Sequence, residues 1–359
     1  MPSPLLFTPL RLRGLTVRNR VAMSPMCQYC ARDGLADDWH LVHLGSRAVG
    51  GAGLVMVEAT AVAPEGRISP GCLGLWNDAQ ADALARIARF VRDQSGVPGI
   101  QLAHAGRKGS CQPSWRGGAP LAAQEGAWEV PSPSAIPFDA ASPVPRAADA
   151  GELAALVDAY GRAARRAVAA GFALLEIHAA HGYLLHQFLS PLSNRREDSF
   201  GGSFENRTRL LRQVVTRVRD CMPDAMPLFV RISAKDWAAG GWDLPDAERL
   251  SAGLSRMGVD LIDVSSGGLL PDAAIAVSPG YQVPLARSIR RAAGVPTAAV
   301  GLITDAAQAE AILAQGAADL VFLGRELLRD PYWPQKARHA LGLEPCVPAP
   351  YRSAVRKAA

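Results

Sequence analysis

Short apolar runs recur eight times along this chain, most followed by a stretch of helical periodicity, and this alternation restricts the fold more than any other feature. The runs are RVAMSPM (20 to 26), GLVMVEATAV (53 to 62), GIQLAHAG (99 to 106), ALLEIHAAHG (173 to 182), LFVRISA (228 to 234), LIDVSSGG (261 to 268), TAAVGLI (297 to 303) and LVFLGRELL (320 to 328). Helical patterns, with apolar residues at three and four, lie at 82 to 96, 153 to 171, 206 to 220, 246 to 258 and 305 to 316, and several stop at glycine. Eight strands alternating with helices predict an α/β chain closed into a (β/α)8 TIM barrel rather than an open doubly wound sheet. A typical barrel needs fewer residues than the 359 present. The surplus falls at 107 to 150, after the third strand, where Gly, Pro and Ser surround Trp115 and Trp128. We expect one domain over 1 to 359, with 107 to 150 as an inserted lid and 335 to 359 as a C-terminal tail.

Composition excludes several classes. The 38 basic residues are interspersed with 33 acidic ones, net +5, without the clustered run of a nucleic-acid footprint. No segment approaches a membrane span, and prolines and arginines break the N-terminus before an apolar core develops, so a cytoplasmic protein is expected. The six cysteines are too dispersed for a disulfide framework, and reduced thiols are the default. Cys27 and Cys30 have the spacing of a metal or redox pair, but no second pair follows them, and no metal is expected.

In such barrels chemistry gathers where the strands end. The polar residues and glycines at those ends are Cys27 and Tyr29, Ala59 and Thr60, Gln101 and His104, then His178, His181 and Tyr183, followed by Arg231, Ser265 with Gly267 and Gly268, Gly301, and Gly324 with Arg325. Gly301 and Gly324 with Arg325 suit a phosphate, though each glycine alone is also plain turn chemistry. His178 and His181 lack the spacing and carboxylate of a zinc site. Two imidazoles and a phenol suit a carbonyl oxygen that gains charge beside a carbon that needs a proton, with a packed structural histidine the alternative. Arg231 inside a barrel strand needs an anionic ligand or a buried partner such as Asp263. Gly51-Ala-Gly53 precedes a strand, so the Rossmann context fails, and any nicotinamide must bind transiently elsewhere.

The motifs SPMCQY (24 to 29), VEATAV (57 to 62), GIQLAHAGRK (99 to 108), EIHAAHGYLLHQFLSPLSNRREDSFGGSFENRTR (176 to 209), VRIS (230 to 233) and LGRELLRDP (323 to 331) resemble the old yellow enzyme family of FMN-dependent ene-reductases. Cys27 and IAVSPGYQV (275 to 283) resemble its thermophilic-like, xenobiotic-reductase branch. The resemblance implies that Ser24, Pro25, Met26 and Cys27 line the flavin, with Ala59 and Gln101 at its pyrimidine edge and Arg231 beside N1 and O2. Gly268, Gly301, Gly324 and Arg325 are implied at the phosphate. It further implies that His178 and His181 bind the substrate oxygen, Tyr183 donates the proton, and Tyr29 and Lys108 shape the substrate pocket. In that branch a C-terminal arginine reaches the neighbouring subunit of a homodimer or homotetramer, which here implies Arg352 or Arg356. Phe200 stands where the family usually has tyrosine. Cys30 is then incidental, and with only Cys346 beyond 221 no iron-sulfur cluster is expected.

The implied reaction has two steps: NADPH or NADH reduces tightly bound FMN and leaves, and an electron-poor alkene then accepts hydride and a proton. Enones, enals, maleimides and nitroalkenes are the implied substrates, with nitro compounds, nitrate esters and quinones as further acceptors. The rival readings are a barrel lyase or aldolase using Lys235 as a Schiff-base lysine, and a ligand-binding barrel without turnover.

Overall fold

The structure, a computed structural model, describes residues 3–354. Its centre is a closed parallel barrel of eight strands: β1 (Val21–Met23), β2 (Leu54–Ala61), β3 (Val97–Ala103), β4 (Leu174–Ala179), β5 (Leu228–Ser233), β6 (Leu261–Ser265), β7 (Thr297–Ala299) and β8 (Leu320–Leu323). Each pairs with the next in sequence, and β8 closes onto β1 through Val21↔Val321 and its neighbours. All eight apolar runs therefore hold a barrel strand. The last run divides: its strand stops at Leu323, and Gly324 caps a short helix, Arg325–Arg329.

Around the barrel stand α1 (Asp38–Val49), α2 (Asp78–Asp93), α3 (Ala150–Ala169), α4 (Phe204–Arg219), α5 (Leu244–Arg256), α6 (Val283–Ala293), α7 (Ala306–Ala314) and α8 (Trp333–Ala340). Sequence chemistry fixes their starts. Asn77 and Asp149 open α2 and α3 with reciprocal capping boxes to Gln80 and Glu152, while Ser203 and Asp305 cap α4 and α7.

Side chains alternate along each strand. On β4, Leu175, Ile177 and Ala179 face the helices, whereas Leu174 points into the barrel with Leu54, Met56, Phe229, Leu261, Ala298, Leu320 and Phe322. A two-stranded hairpin, Leu10–Leu12 with Leu15–Val17, closes the lower end by adding Leu12 and Val17 to that interior cluster. The interior becomes polar only toward the strands' C-terminal ends.

Segment 107 to 150 carries short 3-10 turns and a two-residue parallel pair, Pro131–Ser132 with Arg146–Ala147. It is tied to the rim: Cys111 N donates to Ile68 O at 2.8 Å and Trp128 Nε1 to Glu65 O at 3.0 Å. Among the described residues, no helix is long and apolar enough to cross a membrane.

Candidate active site

The pattern Leu-Glu-Ile-His on β4 places Glu176 one layer beneath His178 on the inward face. Register sets Arg231 opposite both His178 and Asp263. The result is a buried polar layer: Gln101 Nε2 donates to Glu176 Oε1 at 2.7 Å, and Arg231 Nε lies 3.0 Å from Asp263 Oδ2. Burial pushes the Glu176 carboxyl up, reinforced by Asp263 and opposed by Arg231, and burial pushes Asp263 up against the same guanidinium. Two carboxyls share one cation. Among the described residues, Glu176 Oε2, both Asp263 oxygens and Arg231 Nε lack well-aligned hydrogen bonds. Asp263 is thus a partner for Arg231, and the layer still has polar capacity facing the barrel mouth.

Above this layer, β4 ends in a tight turn. His181 and Gly182 both have left-handed backbone, φ 58° and 73°, and a Cβ on Gly182 would stand 2.2 Å from Gly268 O. The turn aims three side chains together: the His178 ring lies 5.1 Å from His181 and 5.0 Å from Tyr183, centroid to centroid. Ala180 N donates to His178 Nδ1 at 3.3 Å, which leaves the His178 proton on Nε2, 3.4 Å from His181 Nδ1. His181 Nε2 meets Ser265 Oγ at 2.7 Å. Burial, then the Arg231 charge, drives both histidines well below the ordinary imidazole value, so they are neutral at pH 7. Burial raises Tyr183 far above the ordinary phenol range, so it stays protonated.

Beside this cluster runs a cleft of about 220 Å3 lined by Arg231, Ser265, Gly301, Gly324, Arg325 and Arg329, among others. Gly301 has φ 115°, and a Cβ on Gly324 would meet only the Met26 side chain at 3.7 Å and Ser24 Cβ at 4.0 Å. Glycine there leaves room for a ligand at the N-terminus of Arg325–Arg329. Ser24, Pro25 and Met26 follow β1 on the same rim. A narrow space with arginines at one end and unsatisfied polar atoms at the other fits FMN, whose phosphate and pyrimidine edge need those partners.

Other expected site residues are placed differently. Lys108 Nζ donates to His181 O and Gly268 O, both at 2.9 Å, and burial pushes its ammonium down to about 8. It braces the turn rather than lying free for substrate. Gly268 lies against His181 and is absent from the cleft lining. His104 falls outside the mouth, in a hollow beside Leu153 and Glu152 of α3. Lys235 Nζ stands 3.7 Å from Asp243 and over the Trp237 ring. Arg352 is exposed in the turn Ala349–Ala354, and Arg356 lies outside the described residues. Cys27 and Cys30 are both free thiols, and burial pushes Cys27 well up. Tyr29 takes a left-handed φ of 51° with its ring 5.6 Å from Trp115 of segment 107 to 150.

Glu58, which the sequence reading passed over, anchors the loop that carries Cys27. It is buried next to Ala59, its Oε2 accepts from Gln28 N at 2.6 Å, and burial pushes its carboxyl up to about 8. The folded chain holds this proton to about pH 8 while the unfolded chain releases it near the ordinary carboxyl value. Stability therefore drains as pH rises through that window, by up to about 1.4 kcal/mol per unit. Glu58→Gln is expected to gain stability relative to the parent from pH 5 to 8, measured by denaturant unfolding. Parallel curves over that range would place an ionised carboxylate in the fold.

Comparison with known proteins agrees with this geometry. Residues 5–344 match the NADH:flavin oxidoreductase / NADH oxidase family. The NADPH dehydrogenase of Geobacillus thermodenitrificans is 48% identical over 97% of this chain and 98% of its own, and that of Bacillus subtilis is 46% identical over 96% and 97%. Among solved structures, morphinone reductase in complex with tetrahydroNAD superposes with TM-score 0.79 at 28% identity, over 97% of this chain and 94% of that one. The old yellow enzyme homologue from Zymomonas mobilis gives 0.77 at 30%, over 96% and 94%. The chain belongs to the NADH:flavin oxidoreductase / NADH oxidase family, as an old yellow enzyme homologue that uses FMN and draws its electrons from NAD(P)H.

Proposed function

We propose that this enzyme reduces activated C=C bonds in enones, enals, maleimides and nitroalkenes, and that nitro compounds, nitrate esters and quinones are further acceptors. The observation that carries the reading is the convergence of His178, His181 and Tyr183 at the barrel mouth beside the Arg231, Gly301 and Arg325 cleft. Bound FMN supplies the hydride chemistry, with NADPH or NADH as transient reductant. Ser24, Pro25, Met26, Cys27, Ala59, Gln101 and Arg231 would hold its ring, and Gly301, Gly324 and Arg325 its phosphate end, with Gly268 packed against the His181 turn instead. Gln101 keeps an amide oxygen for this after donating to Glu176.

His178 offers its Nε2–H to the substrate's carbonyl or nitro oxygen. His181 offers Nδ1–H when the Ser265 hydroxyl turns to donate to Nε2, a rotation that the 2.7 Å contact supports. Neutral imidazoles suit this task, since they stabilise developing charge without surrendering a proton. Tyr183 keeps its proton until the α-carbon becomes basic, and then gives it up. Tyr29 and segment 107 to 150, through Trp115, cover the pocket as a lid on one 1 to 359 domain. Six free thiols support a cytoplasmic setting, and the exposed Arg352 supports a homodimer or homotetramer whose tail, 335 to 359, reaches the neighbouring site.

Tyr183→Phe tests the assignment. Enone reduction is expected to fall about 10²- to 10⁴-fold, as for a lost general acid, while anaerobic bleaching by NADPH persists. Parental enone turnover in that variant would remove Tyr183 from the chemistry.

A further inference from the structure

The turn that carries His181 and Tyr183 is held at nearly every backbone atom. His181 N donates to Ser233 Oγ at 2.9 Å and His181 O accepts from Lys108. Gly182 O accepts from Gln187 Nε2 at 2.7 Å, and Tyr183 N donates to Ala180 O at 3.1 Å. The remaining donor, Gly182 N–H, is met by His186 Nδ1 at 2.9 Å. His186 lies on the short helix Leu184–Leu189, fully buried, and its Nε2 faces Asp236 Oδ1 at 2.9 Å. Neither of those two atoms has another hydrogen-bond partner among the described residues. Asp236, also fully buried just beyond β5, uses its second oxygen to accept from Ser190 Oγ at 2.5 Å and Trp242 N at 2.8 Å.

We infer that His186 and Asp236 form a positioning dyad that fixes the left-handed His181-Gly182 turn and, through it, the Tyr183 proton donor. A backbone N–H can only donate, so His186 Nδ1 must be bare and its single proton must sit on Nε2, facing the carboxylate. Asp236 selects that tautomer. Both residues are fully buried and neither lines the cleft, and the inference rests on the reading of Tyr183 as proton donor.

The chemistry makes Asp236→Asn an exact probe of tautomer choice. Because Ser190 O–H and Trp242 N–H both donate to one oxygen, the amide oxygen of the variant must stay with them, and its NH2 must face His186. The imidazole must then accept at Nε2 and carry its proton on Nδ1, where it opposes Gly182 N–H. The turn loses a hold, and a displacement near 1 Å costs roughly 10²-fold in rate.

Three measurements on the FMN-loaded enzyme test this. In the parent, 15N NMR of the ring assigned by its loss in His186→Asn is expected to show bare Nδ1 and protonated Nε2, and this needs no variant at Asp236 to fold. Asp236→Asn is expected to reverse the tautomer and to slow alkene reduction roughly 10²-fold, with bleaching by NADPH, which takes no proton from Tyr183, changed far less. The double variant His186→Asn/Asp236→Asn, whose amide oxygen stands near the place of Nδ1 and accepts from Gly182, is expected to recover most of the loss. A protonated Nδ1 in the parent overturns the proposal, as does parental alkene turnover in Asp236→Asn once its tautomer has reversed. An active Asp236→Asn beside an inactive Tyr183→Phe sinks the dyad alone, whereas an active Tyr183→Phe sinks the proton-donor reading first.

Discussion

Replacing His178 and His181 together by alanine is expected to lower kcat/KM for enone reduction at least 10²- to 10³-fold while the purified protein keeps its bound FMN. Each aligned donor to a developing oxyanion contributes about 2.7–4 kcal/mol. Because the two rings act on one oxygen, the double loss will fall short of the sum of the single losses. The distinction from a structural role lies in the flavin. Gly301, Gly324 and Arg325 follow β7 and β8 rather than β4, and neither histidine lines their cleft, so visible absorbance should survive. Parental enone turnover in the double variant would contradict the assignment.

The second large effect concerns Arg231. Arg231→Met leaves the Asp263 and Glu176 carboxyls in the barrel interior without their shared cation, and breaking a buried pair in this way costs about 3–5 kcal/mol. Lower stability in denaturant and reduced FMN content are both expected. Adding Asp263→Asn should return part of the stability, because it removes the stranded carboxyl, but not the flavin contact. A double-mutant cycle measures this coupling directly. Additive effects would show that Arg231 serves the ligand alone.

The barrel was legible because parallel strands covered on both faces read as unbroken apolar runs, and their helices carry 3.6-residue stripes. Helix α1 was not, since the face it buries sets His40, His43, Gly45 and Arg47 among Leu44 and Ala48, which dilutes its apolar stripe. The floor hairpin was missed because Leu10–Leu12 and Leu15–Val17 are three-residue strands, too short for a period of two to stand out. At the site, His178, His181 and Tyr183 lie within six positions, and local geometry brings them together. Long-range pairings left less trace. Nothing local tells that Lys108 will spend its donors on His181 and Gly268, or that Gln101 will meet Glu176 across neighbouring strands. Glu176 did have a signal, its inward parity with His178, and Asp263 shares register with Arg231. His186 carried no signal of its own, and its partner Asp236 lies 50 positions on, in the loop beyond β5.

An anaerobic redox titration tests the central claim most directly. The yellow holoenzyme is bleached with NADPH, and cyclohexenone is then added without oxygen. The account predicts that the flavin absorbance returns as one equivalent of saturated ketone forms per flavin. A reduced enzyme that stays bleached in the presence of enone, and recovers its colour only when air is admitted, would contradict it.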